Sequence, residues 1–234
     1  MSYDKTDQFL DLYKKLENTA NTHYHIRGSG SAIAKLQRRQ EFSNIHQELD
    51  YIRDVRNLLT HRPRIGEFYA VEPTDAMLSL LEKLIDRLEH PLSAIRIAVP
   101  LEEVLSASLD SPVLDSLEKM YKRAFSHMPI LEDGKVAGVF SGSSLMNCVL
   151  YKHIMFSGDL KFRDIKDTFT FDQHPSETFR FVSRDTLVSD ISDMFDEALQ
   201  QEERIGMIFV TENGKSDEEL LGIITAWDVA ASIN

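Results

Sequence analysis

"HMPILEDGKVAGVFSGSSL" runs from His127 to Leu145, and "MIFVTENGKSDEELLGIITAWDV" runs from Met207 to Val229. Each is an apolar run, a turn built on Asp-Gly or Asn-Gly, a second apolar run containing a glycine, and a polar residue at its end. Gly134-Lys135 matches Gly214-Lys215 at an offset of 80, and Gly138 matches Gly222 at an offset of 84. Upstream, Asp110 matches Asp185 at an offset of 75. The drift marks insertions in the second copy, about five residues before its middle strand and four in "SDEE". An internal repeat of this kind decides the fold before any motif does.

Working outward, each copy predicts an amphipathic helix, a short strand, a tight turn, a second strand and a closing helix. Asn213-Gly214 is a strong hairpin signal and Asp133-Gly134 is its counterpart. In the first copy Val113, Leu114, Leu117, Met120 and Tyr121 form the apolar helix face; in the second, Leu187, Val188, Ile191, Met194 and Phe195 do. A helix and a hairpin each have one face to bury, so the two copies are expected to pack on each other.

The first third reads differently. Phe9, Leu10, Leu12, Tyr13 and Leu16 fall at helical spacing and predict a helix over roughly 6–20. "HIRGSGSA" breaks the pattern at Gly28 and Gly30, and Ser31 caps a second helix through about Arg39. Phe42, Ile45, Leu49, Ile52, Val55 and Leu59 stripe a helix over about 41–60, which Pro63 stops. Thr74 caps "DAMLSLLEKLIDRLEH", which ends at Pro91. The expected fold class is α+β, with a helical domain over 1–90 and two α/β repeats over 91–158 and 159–234.

Bulk properties limit the function. The 234 residues are 42% hydrophobic and 27% charged, which suits one or two globular cores. No apolar run reaches the roughly 18 residues of a membrane span, and the charged first twenty residues are not a signal peptide. Cytoplasmic localisation is the expectation. Cys148 is the single cysteine, which excludes an internal disulfide and a cysteine zinc cluster. The net charge of −12 is uneven, at +3 over residues 1–66 and −15 over 67–234. The acidic part argues against broad nucleic-acid binding there, because phosphate contacts need positive surface.

A strand, an Asp-Gly turn, and a strand ending "GVFS" or "GIIT" before a helix resembles the cystathionine-β-synthase (CBS) domain. The resemblance covers roughly residues 92–234, as a tandem pair. CBS pairs, called Bateman modules, have two clefts and are commonly regulatory sensors of adenine nucleotides. In that family a Thr-x-x-Asp after the second hairpin strand lines the nucleotide cleft, and Thr225 and Asp228 match it. An ionised carboxylate suits a ribose diol because it is acceptor-only and receives two charge-assisted hydrogen bonds. The first copy places Ser141 and Ser144 at the same positions, so its carboxylate is missing and its cleft is expected to be empty or to take something else. The resemblance makes His127 and Arg184 phosphate-facing candidates. Each has a plainer alternative. Thr225 and Asp228 also fit a helix cap with its capping box, and His127 fits a surface histidine. Trp227 fits either an adenine edge or an anchor in the core or dimer interface.

"RNLLTH" carries a second resemblance. Arg56-Asn57-x-x-x-His61 at a helix end resembles the R-x(4–6)-H signature of HEPN domains, which are helical, usually dimeric and include metal-independent ribonucleases. On that reading His61 exchanges a proton with the attacking 2′-hydroxyl or the leaving oxygen, and Arg56 stabilises charge on the phosphate. Asn57 shares the helix face of His61. Basic side chains at a helix C-terminus also complement the macrodipole without any chemistry.

Three functions follow. The first is a regulatory module that binds AMP, ADP or ATP (or cyclic di-adenosine monophosphate), signals to the helical domain, needs no cofactor or metal, and forms a homodimer. The second is a HEPN-type ribonuclease gated by that nucleotide, with RNA as partner. The third is a structural adaptor whose repeats bind nothing. Thr225 and Asp228 favour the first over the third. No nucleophile motif, paired carboxylates or metal cluster among the eight histidines supplies another enzyme.

Overall fold

The computed structural model describes residues 4–26, 30–61 and 71–232, the side chains of Gln40, Glu41 and His61 excepted. Gly28 and Pro63, expected to break and to stop helices, lie outside the described residues. The chain divides into two compact units: Met1–Leu92 with Leu187–Ser189 and Ile233–Asn234, and Ser93–Thr186 with Asp190–Ser232. Helix and strand are mixed as an α+β class requires, at 52% and 18%.

In the first unit, α1 (Lys5–His23) begins where Asp4 Oδ1 accepts from the Thr6 amide, and α2 (Ala32–Leu36) begins where Ser31 Oγ accepts from the Ala34 amide. The helix expected from residue 41 opens instead as a 3-10 turn, Gln40–Ile45, and becomes α-helical only in α3 (His46–His61). Thr74 caps α4 (Asp75–Glu89) as expected. Leu49, Ile52, Val55 and Leu59 of α3 meet Leu78, Leu81, Leu84, Ile85 and Leu88 of α4 and Phe9, Tyr13 and Leu16 of α1 in one buried core. These spacings of three and four put each set on one helix face. Lys5 pairs with Asp75 at the N-terminal ends and Lys15 with Glu89 further along, so α1 and α4 run parallel.

The second unit holds two sheets and two copies of one arrangement. After the short helix α5 (Ala94–Ile97) and β1 (Val99–Pro100), the first copy runs β2 (Ala107–Ser108), α6 (Val113–Lys122), β3 (His127–Glu132), β4 (Lys135–Ser141) and α7 (Gly142–Met146). A π-helical turn, Asn147–Tyr151, and 3-10 turns at Phe162–Thr168 and Phe171–Gln173 lead to the second copy. That copy runs β5 (Thr178–Ser183), α8 (Val188–Gln200), β6 (Ile205–Thr211), β7 (Gly222–Ile224) and α9 (Ala226–Ser232). The sheet orders are β2-β3-β4 and β1-β7-β6-β5.

The register makes the repeat quantitative. Ala107 pairs with Ile130 and Ser108 with Leu131 in parallel, as Val182 pairs with Val210 and Ser183 with Thr211. Met128 opposes Phe140 and Ile130 opposes Gly138, as Ile208 opposes Ile224 and Val210 opposes Gly222. These pairs stand at the offsets of 75, 80 and 84 read from the sequence. Val136 and Val139 of β4 meet Met207 and Phe209 of β6 in a shared core, with Phe171, Phe179 and Phe181 packed around Phe209. The two copies therefore do bury their faces against each other.

Three expectations need correction. Tyr121, placed on the apolar face of α6, is exposed, because that face is completed by Val113 and Met120. Asp133 and Gly134 turn tightly, both at positive φ, but Asn213 keeps a negative φ and β7 begins only at Gly222. The "SDEE" insertion is the reason: the Glu218 carboxylate accepts from the Asn213 side-chain and main-chain amides and from the Lys215 amide, capturing the turn in a wider loop. Those bonds, led by the Asn213 side chain, lower its pKa from 4.5 to about 2. Trp227 is no core anchor, being 84% exposed.

Equivalent glycines lock the sheets. A Cβ on Gly138 would stand 2.3 Å from the Phe169 carbonyl oxygen, and one on Gly222 would stand 2.6 Å from that of Val99. Val139 N–H donates to Phe169 O at 2.9 Å, so the close approach is a bonded edge and has little room to yield. Gly222→Ala is expected to displace β1 and to destabilise the protein by about 1–3 kcal/mol. Urea denaturation followed by circular dichroism measures this, and Gly138→Ala should show a loss of similar size.

Candidate functional site

A cleft of about 500 Å³ opens in the second unit. Its floor is the start of β6 and the end of β7, contributing Ile205, Gly206, Met207 and Ile223. Val99, Val104 and Leu105 come from the segment around β1, Phe125 from the approach to β3 and Pro129 from that strand, and Phe195 and Leu199 from α8. The polar groups are few: Glu103, Ser126, His127, Glu203, Arg204, Thr225 and Asp228. A mostly apolar hollow with a small set of convergent polar groups, at this volume, is the usual form of a small-molecule site. Trp227 stands at its wall with its ring largely open to solvent.

Thr225 and Asp228 meet where β7 gives way to α9. The Thr225 amide and hydroxyl both donate to Asp228 Oδ2, each at 2.7 Å. The carboxylate thus reaches back to the N-cap amide, half of a capping box. The capping alternative raised from sequence is therefore present in the geometry. Both bonds fall on Oδ2, and Oδ1 has no hydrogen-bond partner among the described residues. Asp228 therefore keeps an acceptor in a half-buried position on the cleft.

The first copy turns the same corner with different chemistry. Ser141 and Ser144 form a full reciprocal capping box: Ser143 N–H donates to Ser141 Oγ, and Ser141 N–H donates to Ser144 Oγ. Ser144 Oγ then donates to the Val139 carbonyl. Ser144 is 0% exposed and Ser141 is 3% exposed. His174, 5% exposed, lies on Ser141 with Nδ1 at 3.4 Å from its hydroxyl and Nε2 at 2.9 Å from Val139 O. A carbonyl only accepts, so Nε2 carries the proton and Nδ1 accepts from Ser141. Burial holds this imidazole below its ordinary pKa of 6.5, against the Val139 bond, which raises it. The chain's own histidine thus occupies the hydrogen-bonding position on Ser141, and a second hollow, lined by Gly142, Ser143, Asn147, Gln173 and Pro175 among others, lies beside this corner.

The second copy has no such plug, for a reason that the repeat makes visible. Phe169 approaches Gly138 as Val99 approaches Gly222, an offset of 70. The turn bond Gln173 N–H to Thr170 O has its twin in Glu103 N–H to Pro100 O at the same offset. His174 then corresponds to Val104, which lines the cleft and carries no group to bond Thr225.

Other expected residues separate. His127 lines the cleft, but its Nε2 is held at 2.5 Å by Glu177 Oε2 and its Nδ1 lies 2.8 Å from Ser126 Oγ, both ends being engaged. Arg184 is outside the cleft lining and pairs with Glu212 at 3.1 Å. Arg204, which nothing in "EERIG" singles out, is in the lining. In the helical unit the Arg56 guanidinium lies over the Tyr13 ring, 5.7 Å from its centroid, with Nη1 3.4 Å from Asn57 Oδ1. The third member of that set is the His61 side chain, which lies outside the described residues. Among the described residues no cluster of three or more His, Cys, Asp or Glu side chains could hold a metal ion. No described helix is long and apolar enough to cross a membrane.

Comparison with known proteins places the first copy. Residues 92–151 match the CBS domain family. Solved structures of similar fold include CBSX2 in complex with AMP, at 21% identity over 60% of this chain and 94% of that one, with a TM-score of 0.41. The CBS domain pair of MJ0100, in complex with 5′-methylthioadenosine and S-adenosyl-L-methionine, is 13% identical over 61% and 95%, with a TM-score of 0.43. The CBS domain of a bacterial CNNM/CorC family Mg²⁺ transporter in complex with ATP is 17% identical over 60% and 86%, with a TM-score of 0.42. No curated protein matches the chain. The first repeat is a CBS domain.

Proposed function

We propose that the cleft at Thr225 and Asp228 binds an adenine nucleotide and that the repeat pair acts as a regulatory sensor for it. The observation that carries this reading is the Asp228 carboxylate, whose Oδ2 caps α9 while Oδ1 keeps an acceptor on an apolar cleft of about 500 Å³. An anionic acceptor suits a ribose diol, and apolar walls with an exposed indole suit a base. The helical unit is the proposed recipient of the signal. Its main segment ends at Leu92, and six residues, 93–98, separate that segment in the chain from Val99 on the cleft wall. We further propose a homodimer, supported by the exposed apolar side chains Met146, Val149, Leu150, Tyr151 and Met155. Sedimentation equilibrium should return twice the chain mass of 26.8 kDa.

Adenine nucleotides should raise the melting temperature and bind with a stoichiometry of one per chain, because the other corner carries Ser144, already bonded to Val139 O, in place of a carboxylate. Asp228→Ala should weaken binding about 10- to 100-fold, the loss of one or two hydrogen bonds to a charged acceptor. Asp228→Asn should fall between, and isothermal titration calorimetry measures both. An unchanged affinity in the alanine variant would falsify the ribose role, and two equal sites per chain would exclude the inequality of the two corners.

The plug also carries a pH dependence. His174 is buried neutral with a lowered pKa, so the unfolded chain binds the extra proton and stability rises with pH across that interval. The contribution is complete above the ordinary value of 6.5 and is lost as pH falls below it. The melting temperature should drop on acidification from about pH 7.5 to 5.5, and His174→Gln should flatten that slope. Differential scanning calorimetry of the two proteins across that range tests it.

A further inference from the structure

The charges around the cleft are unequally compensated. The His127 ring is bonded to Glu177, whereas Arg204 has no carboxylate partner among the described residues. Of the cleft's three carboxylates, Glu203 is tied to Arg180 at 3.3 Å. Glu103 and Asp228 have no cationic partner among the described residues, and Asp228 is bonded only to Thr225. The lining therefore offers one uncompensated cation and two uncompensated acids. An arginine presents a planar fork that fits one phosphate. Among the described residues the lining has no second arginine or lysine for a second or third phosphate, which brings more negative charge toward the carboxylates.

We propose that this cleft selects a nucleoside monophosphate over the di- and triphosphate, with Arg204 bonding the single phosphate and Glu103 repelling longer chains. The proposal rests on the nucleotide reading of the cleft and names the ligand class. Arg204 and Glu103 are both exposed, so their effect is screened by salt. Selection is therefore steepest at low ionic strength, roughly threefold per added phosphate, and shrinks toward physiological salt.

Trp227 is the single tryptophan of the chain and stands in the cleft wall, so its fluorescence reports on this site directly. Adenosine, AMP, ADP and ATP are titrated in EDTA at low and at physiological ionic strength, with calorimetry as the second measurement. The expected order is AMP tightest, then ADP, then ATP. Arg204→Gln should bring AMP down to the affinity of adenosine, and Glu103→Gln should narrow the gap between AMP and ATP. ADP or ATP binding as tightly as AMP to the unaltered protein overturns the selection while the nucleotide reading stands. So does an AMP affinity unmoved by Arg204→Gln, or an AMP-to-ATP ratio unmoved by Glu103→Gln. If none of the four ligands binds by either measurement, the nucleotide reading falls and the selection falls with it.

Discussion

The strand-bearing unit depends on two places where a backbone passes so close to another that a side chain cannot fit between them. Gly138 in β4 lies against Phe169, and Gly222 in β7 lies against Val99. In each case the passing segment comes from outside the hairpin it completes. β1 precedes the first copy in the chain yet pairs with β7 of the second, and the segment at Phe169 follows the first copy and bonds back to Val139. Neither hairpin has its full set of edge bonds from its own copy. An unpaired buried edge would leave main-chain groups without partners, so the copies are stable as a pair and the cleft arises at their seam. This is why its walls draw on residues near 99–105 and 125–129 as well as on 205–207 and 223–228.

The same frame then gives unlike corners. The offset of 70 that relates Phe169 to Val99 sets His174 against Val104. One side chain is an imidazole that bonds Ser141 and the Val139 carbonyl. The other is a valine, which leaves Thr225 and Asp228 on an open wall. Removing a polar plug and adding a carboxylate act in the same direction. The first makes room, and the second supplies an acceptor that serines do not match.

Much of this was legible in the sequence because it is local. The repeat, the Asp133-Gly134 turn, the Thr74 and Ser31 caps and the Thr225-x-x-Asp228 corner all depend on residues within a few positions of each other. What was not legible depends on distant partners. β1 and β2 are two residues each and exist only through pairing, with β7 in one case and β3 in the other. Asn213-Gly214 reads as a tight hairpin until Glu218, five residues on, bonds the asparagine instead. His174 sits in a stretch of chain with no periodicity, and its role appears only when the fold carries it onto Ser141. Arg184 and Arg204 are alike as sequence, yet one meets Glu212 and the other faces the cleft.

Helix capping uses one oxygen of Asp228, and the twin corner shows that a serine can do as much. At the first corner two serines cap the helix between them, Ser144 accepting from the Ser141 amide while Ser141 accepts from Ser143. A serine is therefore sufficient to end β4 and begin α7 in this frame. At the second corner the carboxylate does the same with Oδ2 and adds an acceptor and a negative charge that the cap does not use. In a unit already strongly acidic, an extra carboxylate on a mostly apolar cleft carries a repulsive cost that capping does not explain. A bonded diol would offset it, since two hydroxyl donors on one carboxylate are charge-assisted. The unplugged cleft, the spare acceptor and the exposed indole beside it fit that one ligand chemistry together.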